Sequence, residues 1–266
     1  MKIGFIGTGN MGGALARAAA KGGHTLLLAN RTPAKAAALA KELGGTVCPN
    51  AQAAEAAELL FLGVKPQGLP GLAGELAPVL QARKGNAPVV VSMATAVTLR
   101  ELDAMLGGGL PLIRIMPNTP AAVGAGTILY AAQNVTDAQL NAFRAVLAQA
   151  GLLLPLPEEK IDAASAISGC GPAFCFQFAD ALALGGVRAG LSYPDACRLA
   201  AQTMLGAAEM LLQGGEAPDV LKMRVCSPAG TTIEGVLALE QGGFSYTVQN
   251  AVTAAYRRTV EMTKKG

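Results

Sequence analysis

An α/β fold, with a doubly wound parallel sheet in the N-terminal part and helices alone in the C-terminal part, is predicted by three observations. Short apolar runs alternate with helical stretches from residue 2 to about residue 156, as in parallel sheets covered on both faces. The first run is followed directly by glycines and then by strong helix formers. After residue 157 the strand pattern fades and long apolar helical stretches replace it. We therefore predict two domains, residues 1–156 and residues 157–266.

The strands of the first domain are predicted one by one from their apolar runs. These are KIGFI (2–6), TLLLAN (25–30), ELLFLGV (58–64), APVVVSM (87–93), LPLIRIM (110–116), GTILYAA (126–132) and GLLLPL (151–156). A helix is predicted at about 136–149, between the last two runs. Ligands of such sheets sit beyond the carboxyl ends of the strands, so the loops that follow the strands are candidate binding elements.

The composition argues against several classes of partner. The chain has 266 residues, of which 52% are hydrophobic, with a formal net charge of +3 and no tryptophan. A nucleic-acid surface usually shows a basic stripe and stacking aromatics, so we expect no nucleic-acid partner. The five cysteines form no CxxC pair and the single His24 cannot build a zinc site alone, so we expect no metal. Without a signal-peptide pattern or an apolar run of about 18 residues, we expect a cytoplasmic protein with no membrane partner.

The segment GTGNMG, residues 7–12, places Gly7, Gly9 and Gly12 in GxGxxG spacing between the first predicted strand and a helix. In that context the first glycine permits a tight turn and the second lets the backbone approach a pyrophosphate. The third allows the helix to pack closely on the strand. Free N–H groups at the start of the helix would then face the anion. The sequence therefore predicts a dinucleotide site at this loop.

The residues after the second strand favour NADPH over NADH. An NAD site usually carries Asp or Glu at this point, where the carboxylate binds the ribose 2′-hydroxyl. Here the chain reads Asn30-Arg31-Thr32, so no carboxylate repels a 2′-phosphate and Arg31 could pair with it. The alternative is that Arg31 is a solvated loop residue.

The segment MPNTP, residues 116–120, is predicted to be a stiff, extended loop at the end of a strand. Each proline lacks an N–H and fixes φ, and the residue before a proline is driven toward extended conformations. We expect Asn118 and Thr119 to face the nicotinamide or the substrate. The alternative is a connector that proline merely stiffens.

Two helices of the second domain, predicted at 172–188 and 193–215, are apolar on almost every side. Such helices must be buried, and the domain is too small to bury both by itself. A homodimer that interleaves them would bury them, and a core shared with the first domain is the alternative. The helix TIEGVLALEQ follows the loop SPAGTT, and Thr231 or Thr232 is predicted as its cap. Its free N–H groups form a candidate carboxylate site, unless it is simply a capped helix.

The ordered segments GTGNMG, VKPQ, RIMPNTP, SGCGPAF and SPAGTTIEGVLALEQGGF resemble those of pyrroline-5-carboxylate reductase. The resemblance runs from about residue 2 to about residue 260. It implies an N-terminal Rossmann domain, a C-terminal helical dimerisation domain, and a homodimer or a decamer built from dimers. The reaction that it implies is the reduction of L-1-pyrroline-5-carboxylate to L-proline by NADPH or NADH, the last step of proline biosynthesis.

The resemblance also implies roles for individual residues. The implied cofactor contacts are Ile6, Gly7, Thr8, Gly9, Asn10, Met11, Asn30, Arg31, Asn50, Gly63, Val64, Lys65, Pro66, Met93, Ala94 and Thr95. The implied substrate contacts are Val225, Ser227, Gly230, Thr231 and Thr232, to which the strand-end position adds Asn118. Thr232 is the candidate catalytic residue, whose hydroxyl would hydrogen-bond the ring nitrogen and relay a proton, with a water behind it.

Two positions depart from the family pattern. Ala96 stands where the family usually has glycine, so the family pattern does not predict the backbone conformation at this position. Cys170 stands where the family has serine, which argues against a required hydroxyl there.

Two other functions remain open at this level. A relative of the 3-hydroxyacid dehydrogenases would need a catalytic lysine at the start of the second domain, where Lys160 is the nearby candidate. A non-catalytic NADPH sensor or scaffold would use the helical part for a protein partner. Turnover of NADPH with pyrroline-5-carboxylate separates all three.

Overall fold

The computed structural model describes residues 1–83 and 85–263. The strands are β1 Lys2–Ile6, β2 Thr25–Ala29, β3 Thr46–Val47, β4 Leu59–Leu62, β5 Val89–Ser92, β6 Leu112–Pro117, β7 Gly126–Gln133 and β8 Gly151–Pro155. The helices up to β8 are α1 Asn10–Ala20, α2 Pro33–Leu43, α3 Asn50–Ala56, α4 Leu69–Ala82, α5 Leu99–Met105 and α6 Asp137–Leu147. The later helices are α7 Glu158–Ser168, α8 Gly171–Arg188, α9 Tyr193–Gly214, α10 Pro218–Arg224, α11 Thr231–Gln241 and α12 Phe244–Thr263.

The strands form one sheet in the order β3-β2-β1-β4-β5-β6-β7-β8. All neighbours pair in parallel except β6 and β7, which are antiparallel. The connection between those two strands holds a short 3-10 helix, Thr119–Val123, and is too short for the crossover that parallel pairing requires. The predicted doubly wound α/β fold is confirmed, with this one reversal in an otherwise parallel sheet.

Helices cover both faces of the sheet and bury it in two apolar layers. Side chains of α3, α4, α5 and α7 pack against one face, and those of α1, α2 and α6 pack against the other. Phe5 and Phe61, on neighbouring strands, stack on the second face with ring centroids 4.6 Å apart. Burial on both faces explains why the strands read as continuous apolar runs instead of alternating ones.

The segment MPNTP differs from the extended loop that was predicted. β6 continues through Pro117, which pairs with Ile128 of β7, and Thr119–Val123 is helical. Proline is tolerated at Pro117 because that residue ends the strand. Pro120 lies in the first turn of the 3-10 helix, where its missing N–H would have had no intrahelical partner. The segment is stiff, as expected, but it is a strand end followed by a helical turn.

The chain divides into two compact units, which we describe separately. The first contains Met1–Cys170 and the described residues from Ala255 onward, and the second is Gly171–Ala254. Helix α7 belongs to the first unit, where it packs on β6 and β7. The predicted division at residues 156 and 157 assigned α7 to the second domain, and as a functional boundary that division stays a prediction.

The second unit exposes much of its apolar surface. The buried residues of α8 and α9 are Ala183, Ala196 and Ala200. In contrast, Phe176 is 70% exposed and Leu212 is 80% exposed. The predicted apolar helices are therefore present, and the unit does not bury them.

Within the described part of the chain, one helical segment, Glu158–Arg188, is long and apolar enough to cross a membrane by length and composition. It has 31 residues and a mean hydropathy of 1.3 over its most apolar window, of which 6% is buried. Core helices of soluble proteins meet the same two criteria, and polar residues such as Gln177 and Asp180 interrupt the apolar run. The absence of a membrane partner stays a prediction.

Candidate active site

The glycines of the loop between β1 and α1 have different surroundings. Gly7 has φ +99°, and a Cβ on it would lie 2.4 Å from the carbonyl oxygen of Gly63. A Cβ on Gly12 would lie 2.0 Å from the carbonyl oxygen of Gly7, whereas a Cβ on Gly9 would meet nothing within 4 Å. Gly7 and Gly12 are therefore needed for packing, and Gly9 leaves open space above its backbone.

Several polar groups at the β1–α1 loop have no hydrogen-bond partner, and a phosphate could supply one. Gly9 is the N-cap of α1 and gives no side-chain capping bond, and the first turn has no acidic residue. The hydroxyl of Thr8 is buried and has no hydrogen-bond partner within the described residues. Buried polar groups are normally paired, and an uncapped helix start favours anions. These features fit the pyrophosphate of a dinucleotide.

The end of β2 is tied to the same loop through Asn30. Its Oδ1 accepts a hydrogen bond from the backbone N–H of Thr8 at 3.1 Å, and its Nδ2 donates to the carbonyl of Thr32 at 3.0 Å. Arg31 is exposed and has no ion pair with any residue that the structure describes. Asn30 therefore fixes the backbone on both sides, and the Arg31 guanidinium remains available to an anion.

Asn50 begins α3 and is held by a residue that the sequence analysis did not identify. Its Nδ2 donates to a carboxylate oxygen of Glu75, on α4, at 3.0 Å. The two residues are far apart in the chain, so nothing in the local sequence signals the pair. With its Nδ2 engaged, Asn50 has its Oδ1 left to accept a further hydrogen bond.

The loop after β4 packs directly against the glycine-rich loop. A Cβ on Gly63 would lie 2.5 Å from the carbonyl oxygen of Gly7, and the Gly63 N–H donates to the carbonyl of Ile6 at 2.7 Å. Val64 and Pro66 are half-buried, and Lys65 is exposed. The structure thus brings the implied cofactor residues after β1 and β4 together at the carboxyl edge of the sheet.

The loop after β5 carries Met93, Ala94 and Thr95 beside a strained backbone position. The N–H of Ala94 donates to the hydroxyl of Ser92 at 3.3 Å. Ala96 has φ +62°, a left-handed conformation that disfavours residues with a Cβ. The glycine that the resemblance leads one to expect at this position therefore has a backbone reason, and Ala96 keeps the conformation without it.

A capping box fixes the start of α5, directly after this loop. Thr98 donates its backbone N–H and its hydroxyl to the carboxylate of Glu101, each at 2.7 Å, and its hydroxyl accepts from the Glu101 N–H at 3.2 Å. These hydrogen bonds hold the pKa of the Glu101 carboxyl below its usual range. The carboxylate stays ionised at neutral pH and stabilises the positive end of the helix.

Asn118 is buried, and both ends of its side-chain amide are engaged. Its Nδ2 donates to the carbonyl of Ser168 at 2.8 Å, and its Oδ1 accepts from the N–H of Thr127 at 2.8 Å. Thr119 is exposed. The amide therefore joins the end of β6 to β7 and to the end of α7, and its role as a substrate ligand stays a prediction.

A buried ion cluster at the middle of β6 was not anticipated. The Arg114 side chain is 3% exposed and lies between the carboxylates of Glu158 (Nη1 to Oε1, 3.3 Å) and Asp162 (Nη2 to Oδ1, 2.5 Å). Both carboxylates belong to α7. The sequence did carry a signal for this cluster, a lone arginine inside an apolar strand. A buried charge requires a partner of opposite charge, so such an arginine indicates a nearby carboxylate.

The second unit carries the implied substrate residues in one loop, between α10 and α11. Gly230, with φ −84° and ψ 169°, is the N-cap of α11 and makes no side-chain capping bond. Thr231 and Thr232 lie in the first helical turn, so the prediction that one of them caps this helix is wrong. An N-cap needs an extended backbone, and Gly230 provides it. Ala229, just before it, has φ +54°.

This loop leaves groups free to receive a ligand. The Gly230 N–H donates to the carbonyl of Ser227 at 3.0 Å, which closes the turn. The N–H groups of the first turn of α11 have no side-chain cap. Four of the implied ligands are exposed within their unit: Val225, Ser227, Thr231 and Thr232.

No cluster of three or more His, Cys, Asp or Glu side chains within residues 1–83 and 85–263 could hold a metal ion. The expected absence of a metal stays a prediction. The chemistry open to these residues is hydrogen bonding and anion binding.

Two family models match the chain. The model described as pyrroline-5-carboxylate reductase dimerisation matches residues 158–262, and the model described as NADP oxidoreductase coenzyme F420-dependent matches residues 2–96. The first covers the helical part, and the second covers the glycine-rich loop and the strands through β5.

Curated and solved relatives agree with these matches. A pyrroline-5-carboxylate reductase from Glycine max is 38% identical, over 98% of this chain and 95% of its own length. One from Synechocystis is 42% identical, over 81% of this chain and 79% of its own length. The solved Coxiella burnetii pyrroline-5-carboxylate reductase has a TM-score of 0.90 at 32% identity and covers 97% of both chains. The Plasmodium falciparum pyrroline carboxylate reductase, solved with NADP bound, has a TM-score of 0.86 at 29% identity, over 99% of this chain and 98% of its own.

The similarity extends over both units, and it includes the glycine-rich loop and the α10–α11 loop, where the structure places the candidate ligands. The chain belongs to the pyrroline-5-carboxylate reductase family.

Proposed function

We propose that this protein reduces L-1-pyrroline-5-carboxylate to L-proline with NADPH in the cytoplasm, as the last step of proline biosynthesis. The observation that carries the proposal is the near-full-length similarity to pyrroline-5-carboxylate reductases. The glycine-rich loop, with its uncapped helix start and unpaired buried Thr8 hydroxyl, supports it independently. All five cysteines are free, in keeping with a reducing compartment.

The first unit would hold the cofactor by its phosphates and adenosine. The N–H groups at the start of α1 and the Thr8 hydroxyl would bind the pyrophosphate, with the backbone at Gly9 approached most closely. Arg31 would pair with a 2′-phosphate, because its guanidinium has no ion-pair partner in the described part of the chain. When bound, NADPH supplies the hydride that reduces the imine carbon.

The second unit would hold the substrate through the α10–α11 loop. The uncapped N–H groups of α11 and the hydroxyl of Thr231 would bind the substrate carboxylate, where the positive end of the helix favours it. The Thr232 hydroxyl would hydrogen-bond the ring nitrogen and relay a proton to it from water. Protonation makes the imine a better hydride acceptor, so this hydroxyl acts directly on the reacting group.

The test is turnover of NADPH with pyrroline-5-carboxylate by the wild type and two variants. Thr232→Ala should lower turnover by about 10²-fold if the hydroxyl assists proton transfer, with NADPH affinity close to the wild-type value. Thr232→Ser keeps the hydroxyl and should recover much of the rate. A Thr232→Ala enzyme with wild-type turnover would remove Thr232 from the chemistry. A wild type with no pyrroline-5-carboxylate turnover would overturn the proposed function itself.

We also propose a homodimer, alone or as the unit of a decamer, that forms through α8 and α9. Apolar side chains as exposed as Phe176 and Leu212 are disfavoured on a soluble monomer, and the dimerisation model matches this part of the chain. Light scattering should give at least a dimer at micromolar concentration. An active monomer would refute the proposal.

The surroundings of Lys160 do not support the alternative function, a 3-hydroxyacid dehydrogenase. Lys160 is exposed in the first turn of α7, which gives it no enclosed catalytic surroundings. Turnover of a 3-hydroxyacid with NADP, without turnover of pyrroline-5-carboxylate, would favour the dehydrogenase function over the reductase function.

A further inference from the structure

Helix α7 is tied at both ends to the loops that follow β5 and β6. At its N-terminus, Oε1 of Glu158 accepts from the backbone N–H of Leu99 at 2.7 Å and from Arg114 at 3.3 Å. At its C-terminus, the carbonyl of Ser168 accepts from Asn118 at 2.8 Å. All these contacts lie inside the first unit.

The Glu158 carboxylate does more than complement its own helix. It reaches the first residue of α5, whose N–H is one of the donors that have no partner inside a helix. This bond spans a separation of 59 positions in the chain. Glu158 thus fixes the start of α5 from outside, in addition to the capping box that fixes it from inside.

The start of α5 is also where the β5–α5 loop ends. That loop carries Met93, Ala94 and Thr95, and it includes the left-handed Ala96. A non-glycine residue keeps such a conformation when the surrounding structure holds both ends of the segment. β5 holds one end of the loop, and Glu158 with the capping box holds the other.

The β5–α5 loop lies in the half of the sheet formed by β4, β5 and β6. In a doubly wound sheet, each half binds one of the two mononucleotides of the cofactor. The glycine-rich loop and Asn30 follow β1 and β2, and they take the pyrophosphate and adenosine side. In a doubly wound sheet the other mononucleotide half lies beyond β4, β5 and β6. The β5–α5 loop therefore borders the nicotinamide, where the hydride leaves.

We propose that Glu158 is a positioning residue for hydride transfer, which sets the β5–α5 loop against the nicotinamide by holding the N-terminus of α5. The inference rests on the proposed function. It assigns Glu158 no contact with cofactor or substrate. Its two contacts differ in kind: the Leu99 bond needs an acceptor at the right reach, and the Arg114 contact needs negative charge.

Two substitutions separate reach from charge. Glu158→Gln keeps the length and an acceptor oxygen but loses the charge, and Asp162 still neutralises Arg114. Glu158→Asp keeps the charge but is one methylene shorter, so it does not reach the Leu99 N–H. Glu159→Ala is the matched control. Glu159 lies in the same helical turn and is exposed, and its side chain forms no hydrogen bond or ion pair within the described residues.

We expect Glu158→Asp to lower kcat by about 10-fold or more, since small displacements of reacting groups are costly. Glu158→Gln should stay within about threefold of wild type, because a neutral acceptor keeps most of one hydrogen bond. NADPH Kd, measured by fluorescence, should remain near wild type in both, since its phosphate anchors are elsewhere. Hydrogen exchange of the Leu99 amide should accelerate in Glu158→Asp and remain unchanged in Glu159→Ala.

Each other result overturns the inference. A folded Glu158→Asp with normal kcat overturns it, whatever its Tm. The inference also fails if Glu158→Asp regains the wild-type rate at saturating NADPH, because Glu158 would then support cofactor affinity and not hydride transfer. If Glu158→Gln loses as much rate as Glu158→Asp, charge and not reach is what matters, and the assignment to Leu99 fails. A wild type that is inactive on pyrroline-5-carboxylate refutes the proposed function instead. In that case hydrogen exchange of the Leu99 amide still tests whether Glu158 holds the start of α5, and unchanged exchange in Glu158→Asp overturns that contact.

Discussion

Substituting two glycines of the same loop by alanine should separate packing from cofactor binding. In Gly12→Ala the new Cβ would lie 2.0 Å from the carbonyl oxygen of Gly7, whereas in Gly9→Ala it would meet nothing within 4 Å. Gly9 has φ −74° and ψ −166°, a conformation that alanine adopts without strain. The two variants add the same methyl group, so their difference reports on surroundings alone.

The expected losses of stability differ by about 2 kcal/mol. Overpacking costs about 1–3 kcal/mol or more, and the neighbour of Gly12 is backbone that cannot yield without disturbing the Gly7–Gly63 contact. The gain of about 1 kcal/mol in helix propensity offsets part of this. Because the neighbour is rigid backbone, the upper end of that range applies, and about 3 kcal/mol less about 1 kcal/mol leaves a net loss of about 2 kcal/mol, or a Tm lower by about 4–8 °C. For Gly9→Ala, a poorer N-cap and a less flexible unfolded chain nearly cancel, each at about 0.5–1 kcal/mol.

The measurements are thermal melting and NADPH affinity. Gly9→Ala should keep its Tm but bind NADPH about 10-fold more weakly, because a hydrogen bond to a charged group is worth about 1.5–3 kcal/mol. Gly74→Ala, in α4 and with open space around it, is the control and should leave affinity unchanged. Wild-type affinity in Gly9→Ala would mean that the pyrophosphate lies elsewhere. A wild-type Tm in Gly12→Ala would refute the packing argument.

Three more outcomes follow from single residues. Ala96→Gly should raise Tm by about 1–3 °C, because a left-handed alanine costs about 1–2 kcal/mol and glycine returns part of this as entropy; a lower Tm would contradict it. Arg31→Ala should raise the KM for NADPH about 10-fold and leave that for NADH nearly unchanged; equal effects would dismiss the phosphate contact. The Asp180 carboxylate accepts a hydrogen bond from Tyr193 at 2.7 Å and raises the pKa of that phenol to about 12. This hydrogen bond stabilises the fold below pH 10, and the stabilisation is lost as pH rises toward 12. In Asp180→Asn, phenolate absorbance should show the pKa of Tyr193 return toward its ordinary value of about 10.

The fold could be predicted largely because the sheet is buried on both faces. β1, β2, β4 and β5 are nearly continuous apolar runs with clear boundaries, and the structure has each of them. β3 has two residues, Thr46–Val47, too few to form a pattern. The antiparallel direction of β7 depends on how the chain returns, and hydrophobic periodicity carries no information about direction.

The geometry of the candidate site was predictable where a local motif defines it and not where distant residues meet, and the ligand contacts themselves stay predictions. The spacing of Gly7, Gly9 and Gly12 identified the glycine-rich loop. The partners of Asn118 and Glu158 were invisible, since those bonds span separations of 50 and 59 positions. The cap of α11 was misassigned to threonine because residue preference alone does not reveal which residue has the extended backbone.

The exposed apolar helices of the second unit have a consequence for how the protein reaches its final state. A chain that has folded but not yet met its partner presents side chains such as Phe176 and Leu212 to water. Pairing joins two chains and is slow in dilute solution, whereas off-pathway aggregation recruits many chains and rises more steeply with concentration. Refolding yield should therefore pass through an optimum at intermediate protein concentration. A freshly synthesised chain should need chaperones until the proposed dimer covers α8 and α9.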